Sequence, residues 1–383
     1  MRPESVAELC EAVAKAAEHK LPLDVQGTGT KRALGRPVQA ADLLDLSGFS
    51  PIDLYEPDEL VLTAGAGTLR SEAEASLAKA RQCFAFEPPD FSRLLGSAHA
   101  GTLGGMLACN LAGPRRIKAG SARDHILGVE GVNGQGQAFK AGGRVVKNVT
   151  GYDIAKLMAN SFGTLAALTK LTFKVLPASE TEETLLIESL DGAAATRVMA
   201  EAMQSSVEVS GAAYLPGEAT LLRLEGTPVS VRARSDTLAA LLARHGTIHT
   251  LREVESRQRW IAIRDVHPLC DGDRFVWRLS VPASEGWGIL TKLRRSIDAR
   301  GFLDWAGGLV WFDVPPTDDA GATAIRSAIT TGHATLFRAP EPVRAAVEVF
   351  QPQPKPLAEL SARVKAAFDP HGIFNSGRMY RGV

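Results

Sequence analysis

Two stretches of this chain have residue types and spacing suited to gripping a phosphate. Gly96 to Gly113, GSAHAGTLGGMLACNLAG, carries five glycines, no acidic residue, and no basic group unless His99 takes a proton. Where Cβ atoms are missing, a backbone can close on a ligand and turn its N–H groups towards it. A buried diphosphate needs such donors all round, because an unpaired buried charge is costly. Gln26 to Lys31, QGTGTK, is a tight turn with two glycines, the Thr28 and Thr30 hydroxyls and the Lys31 ammonium. Taken singly, the first stretch reads equally well as a glycine-rich packing turn, and the second as a β-turn with a solvated lysine. Arg32 stands where the third glycine of GxGxxG belongs, and no lysine follows a glycine as the Walker loop requires, so neither a dinucleotide-binding Rossmann site nor a nucleotide triphosphatase is supported.

The elements that must position these turns can be read from periodicity. Val6, Leu9, Val13 and Ala17 recur at helical spacing, and Leu21–Gln26 is a short strand leading into the first turn. Strand-like runs follow at Leu43–Leu46 and Leu60–Ala64, then a helix over Arg70–Ala80 and a rigid extended segment, Phe86-Glu87-Pro88-Pro89. Beyond the glycine stretch, Ile126–Val132 and Gln137–Ala141 alternate as strands around a Gly134–Gly136 turn. Asp153–Met158 reads as a short helix, and Phe162–Val175 as a turn and a strand. From about Pro177 the texture changes. Strands at Leu185–Ser189, Ala219–Leu224, Phe275–Val281 and Gly308–Asp313 alternate with helices at Ala193–Gln204, Ser235–Arg244, Ile289–Arg300 and Thr323–Ile329, which predicts an α+β domain with an antiparallel sheet. Proline-rich stretches, Pro340–Pro342 and Pro352–Pro356, mark a linker. Leu357, Leu360, Val364 and Phe368 then place apolar groups on one face of a last helix.

Composition narrows the classes. The 383 residues suffice for two domains, and the balance of 43 basic against 43 acidic side chains argues against a nucleic-acid partner. No apolar run reaches the roughly 18 residues of a membrane span. Cys10, Cys83, Cys109 and Cys270 are far apart without CxxC spacing, so no iron–sulfur or zinc site is expected within the chain, and reduced thiols in the cytoplasm are the simplest reading.

In order along the chain, VQGTGTK, TAGAG, EPP, AGTLGGMLACNLAGPRR, SARDHILGV, VVKNVTGYDIAKLM, SFGTLAALTKLTFKVLP and the closing DPHGIFNSGRMY resemble the vanillyl-alcohol oxidase/PCMH-type flavoprotein superfamily, with Ser376 where proline is usual. AGPRR, KNVTGYD, WRLSVP, DWAGGLVW and TGHATLFR are similar, within it, to the FAD-binding subunits of glycolate oxidase. The resemblance covers nearly the whole chain. It implies a PCMH-type FAD-binding domain of two α+β subdomains (1–177), an α+β cap with an antiparallel sheet (178–350), and a C-terminal helix and tail (351–383) that returns to the FAD domain. Carried over residue by residue, Gln26, Gly27, Thr28, Gly29, Thr30 and Lys31, with Gly101, Thr102, Leu103, Gly104 and Gly105, would cradle the pyrophosphate of FAD. Pro88 would line the flavin, Asn110 and Gly113 would continue the wall, Asn148 and Tyr152 would lie near the isoalloxazine, and Asn375 would approach from the tail. Two loops from separate segments can wrap a diphosphate where a lone loop cannot. Thr28, Gly29 and Thr30 stand where many members carry a flavin-linking histidine, so the FAD is expected to be dissociable.

A 2-hydroxyacid oxidase must hold a carboxylate, take the hydroxyl proton and pass hydride to the flavin. Arg278, His333 and Arg338 are candidates: His333 is a base or a packed strand-end histidine, and Arg278 a substrate clamp or half of a strand-face salt bridge. Trp305 and Trp311 are core aromatics or a flavin stack, and His99 a solvated or capping side chain. The eight histidines include no cluster like the metal ligands of related D-2-hydroxyacid dehydrogenases, so no metal is expected. The resemblance implies a glycolate oxidase complex in which a homologous FAD-binding catalytic subunit and an iron–sulfur subunit accompany this chain, at most peripheral to the inner face of a membrane. The substrate would be a small 2-hydroxy acid, glycolate or D-lactate. Two alternatives are a flavin-fold subunit kept for assembly or electron relay without turnover of its own, and a stand-alone flavin oxidase of another alcohol or sugar.

Overall fold

In the computed structural model the residues described are 1–145 and 151–382. The opening helix, Val6–Glu18, forms because Ser5 caps it, its side chain accepting from the Glu8 N–H, and because Leu9, Val13, Ala16 and Ala17 bury one stripe. It packs beside a parallel pair of strands, Leu23–Gln26 and Asp42–Asp45. A five-stranded antiparallel sheet completes the first half, in the spatial order Ile52–Glu56, Val61–Gly65, Ala166–Lys174, Ile126–Asn133, Ala138–Gly142. Its central strand, Ala166–Lys174, is buried along nearly its whole length, which matches its sequence of small and apolar residues.

The second half is an eight-stranded antiparallel sheet in the order Ile248–Arg252, Thr181–Glu188, Ala219–Gly226, Gly211–Leu215, Arg300–Asp304, Leu309–Val314, Phe275–Ser280, His333–Arg338. Its two faces have different neighbours. On one, Tyr214 meets Trp287 of the helix Gly286–Ile297 and the Trp277 indole donates to the Ala320 carbonyl. On the other, Trp311 and Phe337 pack edge-on against Phe91 of the first half, and Arg223 reaches Glu87. Because strand side chains alternate, Arg278, flanked by Trp311 and Thr335 in the register, shares that inner face.

The chain end comes home to the first half. Leu23 donates its N–H to the Ile373 carbonyl and Asn375 returns one to Leu23. Lys365 of the last helix, Lys355–Phe368, is buried with its ammonium on the Thr164 and Phe374 carbonyls and the Asp369 carboxylate. Two expectations need correcting. Leu357 and Leu360 do not join the apolar face of that helix: they are 45% and 48% exposed, and only Val364 and Phe368 reach the core. The Phe86–Pro89 segment is not uniformly extended, since Glu87 takes a positive φ of 51° that swings its carboxylate towards the second sheet.

Candidate cofactor site and the domain junction

The first loop leaves the strand Leu23–Gln26 and turns at Gly29, whose φ of +71° glycine adopts without strain. It lies directly against the second loop. A Cβ on Gly101 would stand 2.4 Å from Thr30 Oγ1, and one on Gly27 would stand 2.7 Å from Thr102 Oγ1. Glycine is required at these two positions because two segments close on each other there. His99 holds the approach, its Nδ1 accepting from the Gly101 N–H at 3.0 Å, and Thr102 Oγ1 accepts from the Gly105 N–H at 3.2 Å.

Between the loops opens a pocket of about 750 Å³, counting its mouth. Gln26, Gly27, Thr28, Gly29, Thr30 and Lys31 line one side and Thr102, Gly104 and Gly105 the other. Leu46, Ala66, Phe162, Ala166 and Leu168 give it an apolar wall. Lys31 Nζ donates to the Ala100 carbonyl at 2.7 Å, and among the described residues no carboxylate lies within ion-pair distance of it. Burial is the main reason its pKa falls below the usual lysine value; the nearby Arg70 adds to that, while Cys109 and Asp90 oppose it. Arg378, arriving from the tail, donates to the Lys31 carbonyl at 2.8 Å and keeps Asp24 only at 3.8 Å; burial lowers its pKa too. Its Nε and the Gln26 Oε1 are buried with no partner among the described residues. Two cations short of counter-charge, half-buried Lys31 and buried Arg378, and backbone turns beside an apolar wall fit a diphosphate joined to flat ring systems, as in FAD.

Asn375 does not line the pocket but fixes its rim. Its Oδ1 accepts from the Val25 N–H at 2.8 Å and its Nδ2 donates to the Phe162 carbonyl at 2.8 Å, tying the first loop to the Ser161–Gly163 turn. We expect Asn375→Ala to cost about 1–3 kcal/mol, because two buried backbone groups lose their partners. Thermal denaturation with and without added FAD checks this, with a larger shift in the presence of cofactor.

Other residues singled out in the sequence lie elsewhere. Leu103 is fully buried in the core, and the Pro88 carbonyl accepts from Arg70. Asn110 Oδ1 accepts from the Arg123 N–H, and Gly113 packs against the Glu87 backbone at the junction of the two halves. Tyr152 is 96% exposed, and Asn148 lies outside the described residues. His333 is exposed at the start of an edge strand. The sequence reading missed Ser161–Gly163, Cys109 and Arg378, all of which line the pocket. Arg378 had a usable signal, a basic residue directly after the Ser376-Gly377 turn of the closing run.

At the junction, two features stand out. Glu87 and Arg115 of the first half meet Arg223 and Glu225 of the second in an interlocked pair of ion pairs, with Arg223–Glu87 at 2.9 Å and Arg115–Glu225 at 2.5 Å. Further along the same inner face, Arg278 lies over Trp305 at 5.1 Å and Trp311 at 5.9 Å, and Arg116 lies over Trp305 at 4.9 Å. Neither arginine has an ion-pair or side-chain hydrogen-bond partner among the described residues, so Arg278 is not half of a strand-face salt bridge. Burial, with Arg116 adding repulsion, lowers Arg278 to about 10, so it remains charged at neutral pH. Trp305 and Trp311 are buried, and the Trp305 indole donates to the Gly113 carbonyl at 3.0 Å. Asp304 beside them is buried with one hydrogen bond, from the Trp305 N–H at 2.7 Å, and burial raises its pKa to about 7.

Fold and cradle together define an FAD-dependent oxidoreductase of the class in which an antiparallel sheet covers a two-loop cofactor domain. The profile of the FAD binding domain family matches residues 1–142. The chain is 35% identical to the glycolate oxidase subunit GlcE of Escherichia coli (strain K12), over 97% of this chain and 96% of that protein. It therefore belongs to the GlcE family of glycolate oxidase subunits. It is also 30% identical to the glycolate oxidase subunit GlcD of Bacillus subtilis (strain 168), over 51% of this chain and 40% of that one. Among solved structures, p-cresol methylhydroxylase with substrate bound superposes with a TM-score of 0.73 over 100% of this chain and 88% of its own at 15% identity, which speaks to the fold alone.

Proposed function

We propose that this chain is the FAD-carrying subunit of a complex that oxidises a small 2-hydroxy acid, glycolate or D-lactate, to the 2-oxo acid and passes the electrons to an iron–sulfur partner. In this reading residues 1–177 form the FAD unit, 178–350 the cover over it and 351–383 the returning tail. The observation that carries the reading is the pocket with buried Lys31 and Arg378 between the two glycine loops. Supporting it are the GlcE and GlcD relatives, whose names place them in glycolate oxidase, and a D-lactate dehydrogenase of Archaeoglobus fulgidus at 30% identity over 46% of this chain.

Bound FAD supplies the acceptor for the hydride that leaves the substrate's C2. The chain's own residues would hold and orient it: Lys31 and Arg378 would set positive charge at the diphosphate, the Gly27–Thr30 backbone would donate to it, the Gly101–Gly105 turn, whose Gly101, Leu103, Gly104 and Gly105 N–H groups are bonded within the chain, would leave room for its close approach, and Asn375 fixes the loop. Among the described residues no histidine lines the pocket, and burial raises the Cys109 thiol, which keeps it protonated and a poor nucleophile; both support a cofactor held without a covalent link. Glycolate and D-lactate differ by one methyl, worth about 1–3 kcal/mol of discrimination.

The test is an anaerobic titration. The purified chain is expected to be yellow and to release FAD into the supernatant on acid precipitation. Bleaching by glycolate without partners supports turnover in this subunit. His333, exposed on an edge strand, favours the alternative of an assembly or relay subunit, which predicts bleaching only when the partner subunits are added back. A colourless chain that takes up no FAD would overturn the cofactor reading. We expect Lys31→Met to weaken FAD binding by about 10- to 100-fold, since a charge-assisted contact to phosphate is lost. Fluorescence titration of the apoprotein with FAD reads this directly.

A further inference from the structure

The inner face of the eight-stranded sheet carries a charge imbalance that the flavin cradle does not explain. Two guanidinium groups from different halves of the chain, Arg116 and Arg278, stack on one indole, Trp305. Stacking supplies cation–π attraction but no hydrogen-bond acceptor, and each guanidinium offers five donors. Two half-buried cations side by side repel each other, and fold stability alone gives no reason to keep both. A third party that accepts several hydrogen bonds and carries negative charge resolves the imbalance.

The indole that the two share is held rigidly. Trp305 is pinned by its indole N–H on the Gly113 carbonyl and by Asp304 on its backbone N–H. Trp305 and the following Ala306 both take positive φ, 51° and 56°, an arrangement that costs non-glycine residues about 1–3 kcal/mol each and persists where surrounding contacts enforce it. That strain presents the ring to both arginines at once.

We propose that Arg116, Arg278 and Trp305 form a binding site for a small carboxylate anion carrying an oxygen at C2, the class to which 2-hydroxy and 2-oxo acids belong. The identification of the class rests on the function proposed above; the site itself rests on the three side chains. Planar guanidinium groups match a carboxylate two bonds at a time, the indole covers the face of the acid at C2, and Asp304, the residue before Trp305, is the carboxyl group nearest in the chain to meet the C2 oxygen. Arg116 and Arg278 are then substrate-binding residues. The segment Gly113–Arg116 would link the wall of the cofactor pocket to the clamp, because it runs on from the helix Leu103–Ala108 whose first residues edge that pocket.

The experiment is calorimetric titration of the purified chain, loaded with FAD, with sodium oxalate at pH 7 and low salt, and in parallel with sodium phosphate. Oxalate is expected to bind with one site per chain, and Arg116→Gln and Arg278→Gln are each expected to weaken it by about 10- to 100-fold. Lys118→Gln, whose lysine pairs with Glu208 on the surface of the same short helix, should leave binding unchanged. Arg278→Lys should retain part of the affinity, which guards against misreading a folding defect in Arg278→Gln; circular dichroism confirms the fold of each variant. Absence of oxalate binding, phosphate binding as tight as oxalate, or unchanged affinity in both folded glutamine variants would overturn the site. The FAD content of the same samples, read by absorbance, reports on the cofactor independently, so that loss of the clamp with full FAD loading and loss of FAD itself are separate results.

Discussion

Replacing Arg223 by methionine is expected to lower the stability of the chain by about 3–5 kcal/mol, the cost of leaving a buried charge without its partner. Arg223 is 1% exposed and holds Glu87 through two hydrogen bonds of 2.9 Å, with Glu225 at 3.3 Å from its Nε. Its loss leaves Glu87 and Glu225 side by side, with Arg115 as the remaining ion-pair partner of Glu225 among the described residues. Burial pushes both carboxyl groups up, but Arg223 and Arg115 outweigh it and hold Glu87 below the usual glutamate range and Glu225 at about 2. A carboxylate whose folded pKa is depressed stabilises the fold above its unfolded value and loses that contribution as pH falls through the folded one. The parent chain is therefore expected to weaken between about pH 4.5 and 2, whereas Arg223→Met, whose carboxyl groups are no longer held down by that guanidinium, should lose less over the same range, so that the gap between the two narrows as pH falls. Urea midpoints measured from pH 3 to 7 check both points. The double variant Glu87→Gln with Arg223→Met should lose less than the sum of the single changes, because each single change leaves the other partner buried and unsatisfied. Because Glu87 and Arg223 come from the two halves of the chain, the same substitution should also loosen the second sheet from the first, detectable as earlier proteolysis near residues 177–181.

Little of that junction was legible in the sequence, although much of the cofactor cradle was. The loops Gln26–Lys31 and Gly101–Gly105 announce themselves through glycine spacing, a local property that survives without knowledge of the fold. The strands Ile126–Asn133 and Leu309–Val314 and the helix Gly192–Gln204 follow from periodicity for the same reason. The strands Gly211–Leu215, Ile248–Arg252 and Arg300–Asp304 were missed, because GAAYL is too short and small to alternate visibly and the other two carry polar residues on an edge or inner face. The helix Glu253–Arg264 also has no visible signal, being mostly polar, with only Ser256, Trp260 and Ile263 buried. Ion pairs such as Arg223–Glu87, 136 residues apart, have no local signature at all. Residue type alone makes His333 a candidate base, but at the first position of its strand the side chain is exposed, whereas Arg278, across the register from Thr335, lies on the inner face. Asp304 escaped notice because an aspartate before a tryptophan reads as a turn, and only burial gives it an unusual proton affinity.

Asp304→Asn is expected to stabilise the chain at pH 8 while leaving it nearly unchanged at pH 4, the reverse of what loss of a carboxylate usually does. Burial raises the Asp304 pKa from 3.8 to about 7, with Glu87 pushing in the same direction; the Trp305 N–H, Arg223 and Arg278 oppose it. A carboxyl with a raised folded pKa binds its proton more tightly folded than unfolded, so stability falls as pH climbs from about 4 to about 7 and stays lower above. At about 1.4 kcal/mol for each tenfold gain in proton affinity, the effect is bounded at roughly 4 kcal/mol. Asparagine keeps an oxygen to accept the Trp305 N–H and never ionises, so the penalty above pH 7 disappears. Thermal midpoints of parent and variant should therefore diverge steadily from pH 4 to pH 7; parallel curves would show that Asp304 is not the titrating group. Stabilising substitutions are common in natural chains, and those that relieve strain at a functional site are the ones that cost activity. If the two arginines hold a carboxylate as proposed above, Asp304, buried next to Trp305 and with its pKa raised to about 7, would be the group to exchange a proton with the C2 oxygen. The variant should thus gain stability and lose oxidation of 2-hydroxy acid in the assembled complex, by about 100-fold or more as expected for removal of a general base. A stabilised variant with full activity would leave Asp304 as a strained structural residue and shift the search for the base to the partner subunits.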